Sequence, residues 1–268
     1  MTMAAGVRPV GQRFPLAWTI SDTVTMTWRN LLNVVRQPQL MVFSTIQPVI
    51  FVLLFRYVFG GAIKPPGNVP YVDFLMPGIF IQTMAFGSIN TGVGLAEDIR
   101  KGLIERFRSL PMARSSVLAG RAGADLIRNL WVIALMLAVG FAVGFRVHTN
   151  VFQFIGGLGV LLLFGFAMIW VFGLIGMFTQ NGETAQAASF PIMAILVFAS
   201  SAFVPTETMP HWLRLYTEHQ PLSVTANAVR ALTIGGPATT KVLTSVAWST
   251  GIIAVFAPLA VRRYRKTG

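Results

Sequence analysis

The sequence contains no cysteine and only nine acidic residues among 268. Without thiols there is neither a disulfide framework nor a thiolate metal site, and the three histidines, His148, His211 and His219, lack the spacing of a zinc motif. Charged residues make up 11% of the chain, well under the roughly 25% of a soluble globular domain. No stretch of the form GxxxxGK[ST] occurs, so no loop is suited to cradle nucleotide phosphates on backbone amides, and ATP hydrolysis is not expected of this chain alone. A cleavable leader is not expected either, because Arg8, Pro9 and Arg13 interrupt the first apolar residues. There is no repeat of fixed period and no low-complexity tract.

What is abundant is apolar surface: 54% of residues are hydrophobic and the mean hydropathy is +0.66. Crossing about 30 Å of hydrocarbon as a helix takes roughly 20 apolar residues. Six runs almost free of Asp, Glu, Lys and Arg approach that length, at 40–59, 74–95, 129–145, 151–178, 188–204 and 242–261. They predict an all-α membrane protein with six transmembrane helices in one domain, 1–268. Ahead of them, residues 14–37 space Leu16, Ile20, Val24, Trp28, Leu31 and Val35 three or four apart, with Asp22, Thr25, Arg29, Asn33 and Arg36 on other faces. That pattern predicts an amphipathic helix lying in the membrane interface.

The net charge of +12 does not point to nucleic acid, because the basic residues punctuate apolar segments and form no stripe on a soluble domain. Fifteen of the 21 lysines and arginines fall up to Arg36, between Arg100 and Arg128, or in the tail from Arg262 to Lys266. By the positive-inside rule those three regions are cytoplasmic, which with six spans puts both termini inside and leaves the other six, Arg56, Lys64, Arg146, Arg214, Arg230 and Lys241, at or near outer ends and loops. The tail RRYRKTG reads as an anchor for anionic lipid.

The densest charge, AEDIRKGLIERFRSLPMARSSV at 96–117, separates the second and third runs. Glu97 and Lys101 are four apart, Glu105 and Arg108 three apart, and Ile99, Leu103, Ile104 and Phe107 recur at helical spacing, which predicts a short amphipathic helix ending at SLP. A connector between antiparallel helices needs about two to eight residues. The excess suits a docking surface, with Phe107 as anchor and Arg106 and Arg108 at its rim, although spacing alone also accommodates a plain basic connector.

Other chemistry is sparse. No ionisable side chain is expected deep inside a span, since Asp73 and Asp125 sit near span ends, and Arg121 and Arg128 flank Asp125 as ion-pair partners. This disfavours an ion-gradient-driven carrier and leaves a channel, or a carrier using backbone carbonyls, as the alternative. Ser200 and Ser201 have no evident base beside them, so a hydrolase is disfavoured. Gly140 and Gly144 form a GxxxG spacing suited to close helix packing, and Gln47, Gln82, Asn90 and Gln153 suit either a solute path or helix-to-helix bonding.

The stretch GLIERFRSLPMARSSVLAGRAGADLIRNL, together with FVPTETMPHWLRLYTEHQPLSVTANAVRALTIGG, resembles the permease subunits of ABC-2 type exporters, especially the daunorubicin-resistance branch. The resemblance extends over nearly the whole chain. It implies that the interfacial helix and a coupling helix at 97–110 rest on a separate ATPase, with Glu97, Arg100, Lys101, Ile104, Glu105, Arg106, Phe107 and Arg108 as contacts. It also implies short re-entrant helices within the extracellular region 205–235. The expected assembly holds two ABC ATPase subunits, which bind ATP and Mg, and a second permease subunit, in a bacterial inner membrane. This chain itself would carry no cofactor. The cargo would be a hydrophobic or amphipathic drug, lipid or polyketide-like compound, met by no nucleic acid.

Overall fold

Among the described residues of a computed structural model of the chain, namely 16–36, 38–63, 65, 69–102 and 114–266, every regular element is helical. In order they are α1 (Leu16–Val35), α2 (Pro38–Leu53) continued by a π-helical turn (Leu54–Phe59), α3 (Tyr71–Arg100), α4 (Arg114–Ala142), α5 (Val151–Gly176), α6 (Gly182–Phe198), α7 (His211–His219), α8 (Pro221–Thr233) and α9 (Thr239–Lys266). Four of them, α3, α4, α5 and α9, are long and apolar enough to cross a membrane, and two shorter apolar helices cover 45–59 and 182–198. Each of the six apolar runs lies largely in helix, and among the described residues four of these helices reach spanning length.

α3 is the axis of the bundle. Its apolar window is 89% buried, against 11% for α9, which explains why α3 reads as apolar on every face and carries no clear stripe. It packs on α5 and α6 most extensively, and also on α4 and α8. At the α3–α5 crossing a Cβ on Gly92 would overlap the Phe172 carbonyl, and one on Gly176 would overlap the Gly92 carbonyl. Only glycine lets the two backbones come this close. Around the crossing Leu75, Met76, Ile79, Ile81 and Met84 of α3 interlock with Leu161, Phe164 and Phe172 of α5, all essentially without exposure.

Local signals set several helix ends. Asn150 and Asn181 cap α5 and α6, their side chains each accepting a backbone N–H at 2.8 Å, from Gln153 and Thr184. α8 opens with proline at its first position. α4 stops at Ala142, and Gly144 adopts φ +100° in the turn that follows, where the Phe145 N–H donates to Gly140 O at 2.8 Å. The GxxxG spacing is therefore not a packing face: Gly144 lies outside the helix, and Gly140 meets the Met76 side chain.

α1 has two faces of use. Ile20, Val24 and Trp28 are exposed at 61–63%, the apolar stripe expected to meet lipid, while buried Met26 together with Thr23 and Thr27 sits on Gly120 and Gly123 of α4. The glycines let α1 lie flat against the N-terminal half of α4.

At the opposite end, the region 205–235 holds a 3-10 turn at Thr206–Thr208, then α7 and α8. α8 is buried along most of its length, whereas α7 leaves Trp212, Leu215 and Tyr216 exposed. On α7, Arg214 donates to Glu218 at 2.6 Å and holds its carboxyl below the usual range, an exposed pair of small energetic weight. The loop after α4 ties this end together: Asp73 accepts from the Arg146 backbone N–H at 2.8 Å and lies 2.8 Å from His148 Nε2, while the His148 N–H donates to Thr233 O at 2.8 Å. The tail is packed as well as basic, since Tyr264 is buried against Leu95, Met177 and Ala260, and the Arg263 guanidinium lies 4.5 Å from the Phe178 ring centre.

Candidate coupling surface and its supports

The charged stretch begins inside a span, not beyond it. Glu97 and Arg100 form the last turn of α3, Lys101 caps it, and Gly102 turns the chain with φ +66°. A helix beginning at Glu97 is thus corrected at its start: its first residues continue α3, because the Glu97–Lys101 spacing that suggested a separate helix serves equally as the end of a longer one. Arg100 donates to Glu97 at 2.8 Å, and Lys101 lies 3.8 Å from the same carboxylate. Ile104, Glu105, Arg106, Phe107 and Arg108 lie outside the described residues.

Glu97 also reaches sideways. Its Oε1 accepts the Gly182 backbone N–H at 3.0 Å, at the first turn of α6, where an anion suits the unpaired N–H groups and the helix dipole. On the other side Arg121 of α4 donates to Asp98 of α3 and lies over Gly94, where a side chain would collide with the guanidinium. The entry to the charged stretch is thereby fixed to two neighbouring helices.

Deeper along the same seam, Thr91 donates to Asp125 Oδ2 at 2.5 Å, Arg128 lies 3.3 Å from Asp125 Oδ1, and Arg128 donates to Gly87 O at 2.8 Å. One sequence expectation changes here. Asp125 does pair with Arg128, but Arg121 turns to Asp98, 23 positions away, a cross-helix partner that spacing within one helix cannot reveal. All three charges lie on the N-terminal part of the helix that carries the third apolar run, ahead of that run, and each has a partner.

The remaining candidates are scattered. Gln82 and Asn129 are buried, whereas Gln47, Asn90 and Gln153 are exposed on separate helices and converge on no common path. Ser201 accepts from Arg230 and faces Asn227, and Ser200 donates to Val197 O, so both are structural. Arg230 itself, read from the sequence as a residue of outer ends and loops, is buried and bonded to α3 and to the turn after α6. Among the described residues no group of three metal-ligating side chains converges.

Residues 21–234 match the family model described as ABC-2 type transporter. The chain is 34% identical over 259 residues to the daunorubicin resistance ABC transporter permease protein DrrB1 of Streptomyces coeruleorubidus, covering 97% of this chain and 91% of that protein. It is 26% identical over 243 residues to the probable doxorubicin resistance ABC transporter permease protein DrrC of Mycobacterium tuberculosis, covering 90% and 88%. A second mycobacterial relative, the doxorubicin resistance ABC transporter permease protein DrrB, is 27% identical over 176 residues, 66% of this chain and 60% of that protein.

Proposed function

The chain belongs to the ABC-2 type transporter family, and from that membership we propose that it is the permease subunit of an ATP-driven exporter of amphipathic compounds, worked by a separate ATPase. It is an integral membrane protein of a family whose members are transmembrane components and not themselves enzymes. In the proposed assembly six apolar helices span a bacterial inner membrane with both termini cytoplasmic, α1 lies in the inner interface, and α7 and α8 form a re-entrant cap on the outside. Two such permeases pair as a homodimer over two ATPase subunits, which supply ATP and Mg.

The single observation that carries this reading is the anchorage of the charged stretch. Glu97 is bonded to the start of α6 and Asp98 to α4, so force applied at Glu97 and Asp98 is delivered to three helices at once. Closure of an ATPase pair on ATP would shift the permease between inward-open and outward-open states through such a contact. The bundle offers aromatic, aliphatic and neutral polar surface to a cargo, which fits an amphipathic drug, lipid or polyketide-like molecule. Drug export draws further support from the names of the relatives, which are resistance permeases for daunorubicin and doxorubicin.

The test is reconstitution with and without a cognate ABC ATPase. Transport of doxorubicin is expected only with both proteins and ATP; transport by the permease alone on an ion gradient would replace this reading with that of a secondary carrier. Reversing the charge at Arg106 and Arg108 to glutamate is expected to weaken ATPase binding about tenfold while membrane insertion is kept, measured by pull-down from solubilised membranes. Orientation has its own check, made simple by the absence of cysteine: Lys101→Cys is expected to react with an impermeant maleimide in inside-out vesicles and not in intact cells.

A further inference from the structure

Polar bonds between α3 and α4 are confined to the half that adjoins the charged stretch. From the cytoplasmic end they run Asp98 to Arg121, Thr91 to Asp125 at 2.5 Å, and Gly87 O to Arg128 at 2.8 Å, with Asp125 and Arg128 also paired at 3.3 Å. On α3 the rungs run from Gly87 to Asp98, eleven residue steps or about 16 Å of helix. Beyond them the contacts are apolar: Met76 against Gly140, buried Ile133 and Met136, and, just past the end of α4, Phe145 edge-on to Phe80. Apolar contacts slide at small cost, whereas separating Asp125 from Thr91 and Arg128 in a low-dielectric setting strands a charge.

We infer that the inner halves of α3 and α4 form one rigid arm, in which Asp98, Thr91, Asp125, Arg121 and Arg128 are positioning residues that convert displacement applied at the C-terminal end of α3, at Lys101 and Gly102, into displacement of the bundle. The inference rests on the permease reading above for its functional consequence, and on the ladder alone for its mechanical one. Gly94 and Gly87 belong to the same device. Arg121 lies over Gly94, and Asn129 Oδ1 stands 3.4 Å from where a Cβ of Gly87 would be, so the helices are close enough for short side chains to bridge them. The Glu97 bond to Gly182 extends the arm to α6. Breaking a rung leaves the ATPase contact in place and lets the end of α3 move without α4, so hydrolysis continues and transport fails.

The full chain with its ATPase in proteoliposomes, with doxorubicin as probe, reads this directly. Asp125→Asn combined with Thr91→Val is expected to keep hydrolysis within about twofold and to lower drug moved per ATP by about fivefold or more. Asp98→Arg alone is expected to uncouple in the same way, and Asp98→Arg with Arg121→Asp to recover at least about half of the lost coupling. Wild-type coupling in the double variant, or no recovery in a swap that retains its thermal midpoint, overturns the inference. A measurement without the ATPase keeps the two readings separate: in nanodiscs the amides of 87–98 and 121–128 are expected to exchange as one slow unit and to lose about tenfold protection in Asp125→Asn, with α5 unchanged. Independent exchange of the two segments in the wild type overturns the arm even where export holds, while a chain that binds no ATPase yet exchanges as one unit overturns the exporter reading alone.

Discussion

Arg230→Met is expected to cost on the order of 3–5 kcal/mol of stability, the largest effect of any single polar substitution in the described chain. The guanidinium has five N–H donors, and all five are used. Nε donates to Phe74 O at 2.9 Å, one terminal nitrogen to Asn227 Oδ1 at 3.0 Å and Ser201 Oγ at 3.3 Å, and the other to Ser201 O at 2.6 Å and Ala202 O at 2.8 Å. The cation also lies 3.7 Å from the centre of the Phe74 ring. None of these partners is a carboxylate, so removing the charge relieves a desolvation cost, and that relief opposes the loss. The loss is nevertheless larger, because Ser201 and Ala202 sit in the non-helical turn after α6, where Arg230 donates to both of their carbonyls. Methionine fills the volume and donates nothing. Arg230→Lys, with three donors on one compact atom, is expected to recover about half of the deficit, since it cannot reach α3 and the turn together. The thermal midpoint of the purified chain in detergent is the measurement, with exposed Arg262→Met as control, expected to change stability by no more than about 0.5 kcal/mol. An unchanged midpoint in Arg230→Met would show that the turn is held by other contacts.

Arg230 also marks where the sequence stopped being legible. Hydropathy placed the helices well, and the stripe Ile20, Val24, Trp28 was recovered as the exposed face of α1, because both signals are written in neighbouring residues. Two short helices do occur within 205–235, the region to which the resemblance, and not the residue pattern, assigned them. Partners across helices leave no such trace. Arg230 looked like an outer-loop arginine because its acceptors are backbone carbonyls 28 and 29 positions back and an α3 carbonyl 156 positions away. Asp98 and Arg121 looked like members of separate groups for the same reason. Hydropathy sets the third run at 129–145, but it says nothing of how the helix extends N-terminally through Arg128, Asp125 and Arg121, whose bonds reach α3. One apparent motif pointed the wrong way: the spacing of Gly140 and Gly144 is that of helix packing, yet Gly144 serves a turn, while Gly92 and Gly176, which do admit each other's helix backbone, share no motif because they lie on different helices.

Those two glycines carry the other large expectation: Gly92→Leu is expected to abolish accumulation of folded chain, and Gly92→Ala to destabilise it by about 1–3 kcal/mol or more. Both effects run against local preference, since alanine is favoured over glycine in a helix interior by about 1 kcal/mol. The crossing decides the sign. A Cβ on Gly92 overlaps the carbonyl of Phe172, and both are backbone, so relief requires α3 and α5 to move apart along their most extensive contact. Side chains can rotate away from an intruding methyl, but two buried helices cannot part without opening the core around Met84, Phe164 and Phe172. Gly176→Ala is expected to act in the same way from the α5 side, and the two substitutions together to cost less than their sum, because one parting of the helices accommodates both. Gly251 of α9 and Gly159 of α5, where nothing stands within 4 Å of the added carbon, give the contrast: alanine there is expected to be neutral or stabilising by up to about 1 kcal/mol. Fluorescence-detected size-exclusion of tagged chain, before and after heating, ranks all four. Gly92→Ala behaving like Gly251→Ala would mean that the α3–α5 crossing is wider than the close approach described above.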